Sequence, residues 1–180
     1  ATSVAVAPDG KIVVAGVTDS FYGIVRYNDN GTLGTSFDGD GIFVPTDAVG
    51  GNCDLAVQPD GKILIAGTPI IIRLNLNGSF DTSFDGDGRV TLNVSWKSVA
   101  LQADGKIVVG TGALDPGAKL DFAVYRFNSN GGIDAGVGAN GSVQTNIGFP
   151  VINESYTTDV LKDIAIQPNG KIVAVGSARS

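Results

Sequence analysis

The sequence predicts an all-β chain of β-propeller type, with three four-stranded blades followed by a half-blade. Three observations carry that expectation. A hairpin-forming segment returns four times along 180 residues. The acidic residues are 17 Asp and one Glu, Glu154, beside 26 Gly, a composition that suits turns and not helices. The strands inside the repeat are apolar at consecutive positions, so both faces of each sheet need cover in a chain with no helical segment to supply it. Radial stacking of four-stranded sheets provides that cover with a unit of about 40–50 residues. A β-sandwich would also cover its sheets, but it does not need copies this alike.

The first hairpin runs Val4-Ala5-Val6-Ala7-Pro8-Asp9-Gly10-Lys11-Ile12-Val13-Val14-Ala15-Gly16. Its counterparts are Leu55 to Gly67, Val99 to Gly110 and Ile164 to Gly176. Asp-Gly or Asn-Gly joins the two strands, which predicts a type I′ turn with positive φ at both central residues. The turn glycines Gly10, Gly61, Gly105 and Gly170 are spaced by 51, 44 and 65 residues. A small residue recurs in the first strand, as Ala5, Ala56, Ala100 and Ala165, where close packing suits it.

A third strand and turn follow in three of the copies, as Ile24 to Gly31, Ile71 to Gly78 and Val124 to Gly131. Ten residues after each of these turn glycines stands another, Gly41, Gly88 or Gly141, and then a short fourth strand. The first-to-second turn distance varies over 21, 17 and 26 residues, so insertions fall between strands two and three. The expected organisation is one repeat domain over 1–180, with repeats near 1–51, 52–95, 96–159 and a partial 160–180.

Three blocks, A-x-Q-P-D-G-K-I-x-x-A-G from Ala56 to Gly67, R-x-N-x-N-G from Arg73 to Gly78 and D-T-S-F-x-G-D-G from Asp81 to Gly88, resemble the bacterial delta-60 repeat. The third copy departs from the last block over Asp134 to Gly141, keeping the turn and losing the Phe and both later Asp residues. The resemblance implies a propeller-like tandem module of secreted or cell-surface proteins. It carries over no catalytic residue.

The net charge of −6 and pI near 4.4 disfavour nucleic acid and anionic membranes as partners. With no His and only Cys53, His-based acid–base chemistry, most zinc sites and an intrachain disulfide are removed. No apolar run approaches the roughly 18 residues of a membrane span. The chain opens at Ala1 without Met, which fits a processed product or part of a longer protein. A lone Cys among Asn-, Gly-, Thr- and Ser-rich loops fits an extracellular or cell-surface bacterial protein, although cysteine poverty is equally compatible with the cytoplasm.

Asp38 with Asp40, and Asp85 with Asp87, pair carboxylates in Gly-rich loops and are the calcium candidates. Neither loop continues with the later acidic ligand of a calcium loop, so Asx turns are the preferred reading and no cofactor is expected. Asn28, Asn75 and Asn128, with Asn30, Asn77 and Asn130, read as turn formers. Arg26, Arg73 and Arg126 recur once per full repeat and read as salt bridges or stacked contacts between blades. Lys11, Lys62, Lys106 and Lys171 read as covering apolar surface with a wet ammonium group. Binding-loop candidates are the single Trp96 and, in the largest unrepeated segment, Asn153, Glu154 and Tyr156.

The expected function is a non-catalytic extracellular scaffold or protein-recognition module. Its expected partners are further copies of itself or neighbouring propeller segments, with a glycan or protein ligand as further options. The alternatives are a carbohydrate-binding propeller using Trp96, and part of a propeller enzyme whose site another chain or segment completes.

Overall fold

The computed structural model describes residues 1–17, 21–45, 53–92, 94–114, 120–147 and 158–179. It forms two compact units, Ala1–Asn93 and Val94–Ser180. Among the described residues there is no helix, and none long and apolar enough to cross a membrane.

The first unit holds two antiparallel four-stranded sheets in sequential order. One contains β1 (Ser3–Val6), β2 (Ile12–Val17), β3 (Tyr22–Tyr27) and β4 (Ile42–Phe43); the other contains β5 (Asp54–Val57), β6 (Ile63–Gly67), β7 (Ile70–Leu74) and β8 (Arg89–Thr91). They share a core in which Val13, Ala15, Tyr22, Ile24 and Phe43 of the first sheet meet Leu55, Ile63, Ile65, Ile70 and Ile72 of the second. Every residue of β6 and β7 is buried, as their consecutive apolar positions require. The first sheet instead alternates, because Val4 and Val6 turn to its other face and stand 65% and 68% exposed.

The second unit repeats this plan with β9 (Ser95–Leu101), β10 (Ile107–Leu114), β11 (Leu120–Phe127) and β12 (Ser142–Thr145). The hairpin of β13 (Thr158–Ile166) and β14 (Ile172–Arg179) follows as the half-blade. Val108, Phe122, Leu161 and Ile164 form the core between them. One parallel bridge, Leu120↔Thr158, ties β13 to β11. It exists because β12 pairs with β11 only as far as Phe122, leaving the Leu120 end of that edge available.

The hairpin turns differ from the expected type I′. Positive φ occurs at Gly10, Gly61, Gly105 and Gly170, and not at the preceding Asp or Asn. Gly10 N donates to Ala7 O at 2.9 Å and Ala7 N to Lys11 O at 2.8 Å, so a type I turn is followed by a left-handed glycine. Loop length is the physical reason: three residues separate Ala7 from Lys11, and a three-residue hairpin loop takes a type I turn followed by a left-handed residue. Pro8, Pro59 and Pro168 suit the second position of that turn, and Ala103 takes the same place in the third hairpin.

Adjacent blades lock through an aromatic ring set on a glycine. A Cβ added to Gly67 would lie 2.6 Å from the Tyr22 ring, and one added to Gly176 would lie 2.4 Å from the Phe122 ring. Tyr22 and Phe122 each stand four residues before the repeated arginine, so the two units use the same device. Phe43 and Phe80 add an edge-to-face contact with ring centroids 5.5 Å apart.

Candidate functional site

The repeated charged residues converge where the third strand meets the loop that folds back on it. Arg73 leaves β7 inward and is buried. Its Nε donates to Asp81 Oδ2 at 2.6 Å and its Nη2 to Ser83 Oγ at 3.0 Å, while Lys62 Nζ lies 2.9 Å from the same Asp81 oxygen. Ser83 donates from both its amide and its hydroxyl to Asp81 Oδ1, and the guanidinium stacks on Phe84 at 4.6 Å. Burial alone would push the Asp81 carboxyl up. The bonds from Ser83 and Lys62 and the charge of Arg73 outweigh it and hold the group well below the usual carboxylate range.

The third repeat builds the same set. Arg126 Nε donates to Asp134 Oδ2 at 2.7 Å, Lys106 Nζ lies 2.9 Å away, and Gly136 N donates to Oδ1 at 3.0 Å. The Lys106 bond leads the causes that lower the Asp134 carboxyl to about 2. In the first repeat the corresponding position is Gly34. Arg26 turns instead to Asp9 Oδ2 at 2.6 Å and to the carbonyl of Leu76 in the turn after β7.

The arginines are therefore salt-bridged, each to an aspartate of its own blade, and Arg26 also reaches the next blade through a hydrogen bond to the carbonyl of Leu76. The lysines are not simply wet, because Lys62 and Lys106 complete the ion sets. Asp81 and Asp134 were not legible as partners, although the eight-residue spacing from Arg73 and Arg126 was a usable signal. Ser3, Asp54, Ser98 and Asp163, which bond across blades, were also missed.

The calcium candidates lie in tight turns. Asp38 and Asp85 occupy the left-handed region with φ of 50° and 51°. Asp40 Oδ1 accepts from Ile42 N at 2.8 Å and Asp87 Oδ1 from Arg89 N at 2.9 Å, which makes both of them Asx turns. Among the described residues no group of three His, Cys, Asp or Glu is placed to hold a metal ion. Asp38 N donates to Asn77 O at 2.8 Å across the blades, and a Cβ on Gly78 would come within 2.7 Å of that amide. The Gly-rich loop of one blade thus abuts the Asn-rich turn of the next.

Trp96 lies in β9, its backbone paired with Thr111. Asn153, Glu154 and Tyr156 fall outside the described residues. Cys53 is buried, and burial is the leading cause that pushes its thiol up, away from nucleophilic chemistry.

An apolar groove of about 450 Å³ opens in the second unit between β12 and β14, lined by Phe122, Val124, Val143, Ile147 and Val175 among others. In the first unit Ile24 and Phe43, the counterparts of Val124 and Val143, are buried in a core with Ile70 and Ile72 of β7. Among the described residues no strand pairs with the free edge of β14 as β7 pairs with β6. Val143 is accordingly 44% exposed and Val175 52%, and among the described strands β14 pairs only with β13.

A family model described as "Domain of unknown function (DUF5122) beta-propeller" matches residues 7–37, 58–84 and 102–136, just over half of the chain. No curated protein matches the sequence.

Proposed function

The chain belongs to this DUF5122 β-propeller family, and on that premise we propose that it is a non-catalytic repeat module of the delta-60 type, acting as an extracellular or cell-surface scaffold and protein-recognition surface. The repeated charges support the absence of catalysis, since Arg73, Asp81 and Lys62, and their counterparts in the third repeat, neutralise one another. The observation that carries the recognition reading is the groove beside β14. Its occupant is the third strand of another such repeat, supplied by a second copy of the chain. The model for this is β7, whose isoleucines fill the matching space in the first unit. Backbone pairing with the open edge of β14 supplies affinity, and alternate side chains in the groove supply selectivity. No metal or cofactor takes part.

The test is light scattering coupled to size exclusion, followed by titration with a synthetic peptide of sequence Pro69 to Gly78. Self-association, or binding of that peptide with none of its scrambled form, supports the reading. A monomer at micromolar concentration that leaves the peptide unbound overturns it.

A further inference from the structure

The first repeat contains a carboxylate cradle without its own carboxylate. In the second repeat Asp81 is held by Arg73 Nε, Lys62 Nζ and the amide and hydroxyl of Ser83. In the third, Asp134 is held by Arg126 Nε, Lys106 Nζ and the amide of Gly136. The first repeat keeps the donors in the same sequence positions, as Arg26, Lys11 and Ser36, and replaces the aspartate with Gly34.

The loop keeps its backbone bond after that replacement, although a Cβ on Gly34 would stand 3.0 Å from Arg26 O, so an aspartate there needs a small shift. Gly34 N donates to Arg26 O at 2.8 Å, as Asp81 N and Asp134 N donate to Arg73 O and Arg126 O at 2.9 Å, and Gly34 is not in the left-handed region. What changes is the charge balance and one donor. Each complete set joins two cations to its loop aspartate, with the turn residue Asp60 or Asp104 alongside. The first joins Arg26 and Lys11 to the turn residue Asp9 alone, at 2.6 and 3.4 Å. Arg26 is 3% exposed, and its Nε is buried with no hydrogen-bond partner. Leaving such a charged donor unpaired is costly, so the site favours an acceptor. Beside it is a pocket of about 300 Å³ lined by Asp9, Lys11, Arg26, Ser36, Leu76 and Asn77.

We propose that this pocket binds a carboxylate group, which takes the part that Asp81 and Asp134 play in the other repeats. Lys11 Nζ, the Ser36 hydroxyl and the Arg26 guanidinium supply donors, and the single negative charge brings the set to the balance of its neighbours. Asp9 already holds Arg26 Nη2 and faces the incoming anion. Dianions, with a second charge and no second cation to meet it, are disfavoured.

Sodium acetate, titrated against sodium chloride at matched ionic strength, is the probe. The readouts are the Arg26 Nε–H resonance and the melting temperature. Acetate is expected to move that resonance saturably and to raise the melting temperature by about 2–4 °C at about five times its Kd. Gly34→Asp supplies the carboxylate from the chain, so its Nε resonance shifts toward that of Arg73 and the acetate response disappears. Circular dichroism confirms that this variant is folded. A short amide-blocked aspartyl peptide distinguishes sources: binding about tenfold tighter than acetate points to a protein side chain, and equal binding to a free anion. The proposal fails if acetate acts no differently from chloride, or if Gly34→Asp responds as the parent does.

Discussion

Ser3 Oγ donates to Asp54 Oδ1 at 2.7 Å, joining the first strands of adjacent blades, and Ser98 makes the same 2.7 Å bond to Asp163. All four residues stand seven positions before their turn glycine, so the chain alternates Ser, Asp, Ser, Asp at one site of the repeat. Each aspartate uses the same Oδ1 to accept its following amide, Leu55 N at 2.9 Å and Ile164 N at 2.8 Å. A hydrogen bond to a charged acceptor contributes about 1.5–3 kcal/mol. Ser98→Ala is therefore expected to lower the melting temperature by several degrees in thermal denaturation. A double-mutant cycle with Asp163→Asn should show the two changes to be less than additive.

Phe84 and Val137 occupy the same place in the fold-back loop, yet Phe84 is fully buried beneath Arg73 and Val137 is half-buried. Removing the ring leaves a cavity and strips the guanidinium of its stacking partner. Phe84→Ala should cost about 3–5 kcal/mol in urea unfolding, whereas Val137→Ala should cost less than about 1 kcal/mol.

The hairpins and strands were legible because their signals are local: Asp-Gly and Asn-Gly turns, consecutive apolar residues and constant spacing to Gly41, Gly88 and Gly141. The turn type was misread because the closing pair, Ala7 and Lys11, encloses three residues, and Asp-Gly favours the mirror-image turn only in a two-residue loop. Arg73 could be read as structural from its repetition. Its partner Asp81 emerges only once the loop folds back to bond Asp81 N to Arg73 O. The Ser3–Asp54 bond joins residues in different repeats and of different types, so no short-range pattern announces it. Gly34 looks like an ordinary loop glycine until it is placed against Asp81 and Asp134.

Stability should fall in acid through the carboxylates paired with arginine. Asp81 and Asp134 have folded-state values below the ordinary 3.8, Asp134 at about 2. A carboxyl lowered by folding stabilises the protein above its unfolded value and loses that contribution as pH falls through its folded value. Urea midpoints are expected to drop between about pH 4 and pH 2. Asp134→Asn should lower the midpoint at neutral pH and flatten that part of the profile.

Asp40 and Asp87 accept amide hydrogens two residues on, a role that an asparagine side chain also fills. Asp40→Asn and Asp87→Asn should each change stability by less than about 0.5 kcal/mol, and a chelator should leave the melting temperature unchanged. A calcium loop would respond to both treatments, since removing a bound ion withdraws stabilisation from the folded state. A fall of more than about 5 °C on chelation would return these aspartates to the list of ligands.

The groove beside β14 predicts the assembly behaviour of the chain. Val143 and Val175 line it and are exposed, so neither contributes much to the fold as it stands. A strand seated there would bury both and pair with the open edge of β14, the kind of edge that proteins otherwise cover or charge. The contact should exceed about 1,000 Å² for a stable complex. Val143→Asp places a carboxylate on that surface, where solvent accepts it in the free chain and burial penalises it in the complex. The variant is expected to keep its melting temperature within a few degrees and to weaken self-association about tenfold or more, a factor that corresponds to about 1.4 kcal/mol. Light scattering at matched concentrations measures the second effect. A variant that associates as tightly as the parent would place the interface elsewhere, with the open face of the first sheet, at Val4 and Val6, next to be tested.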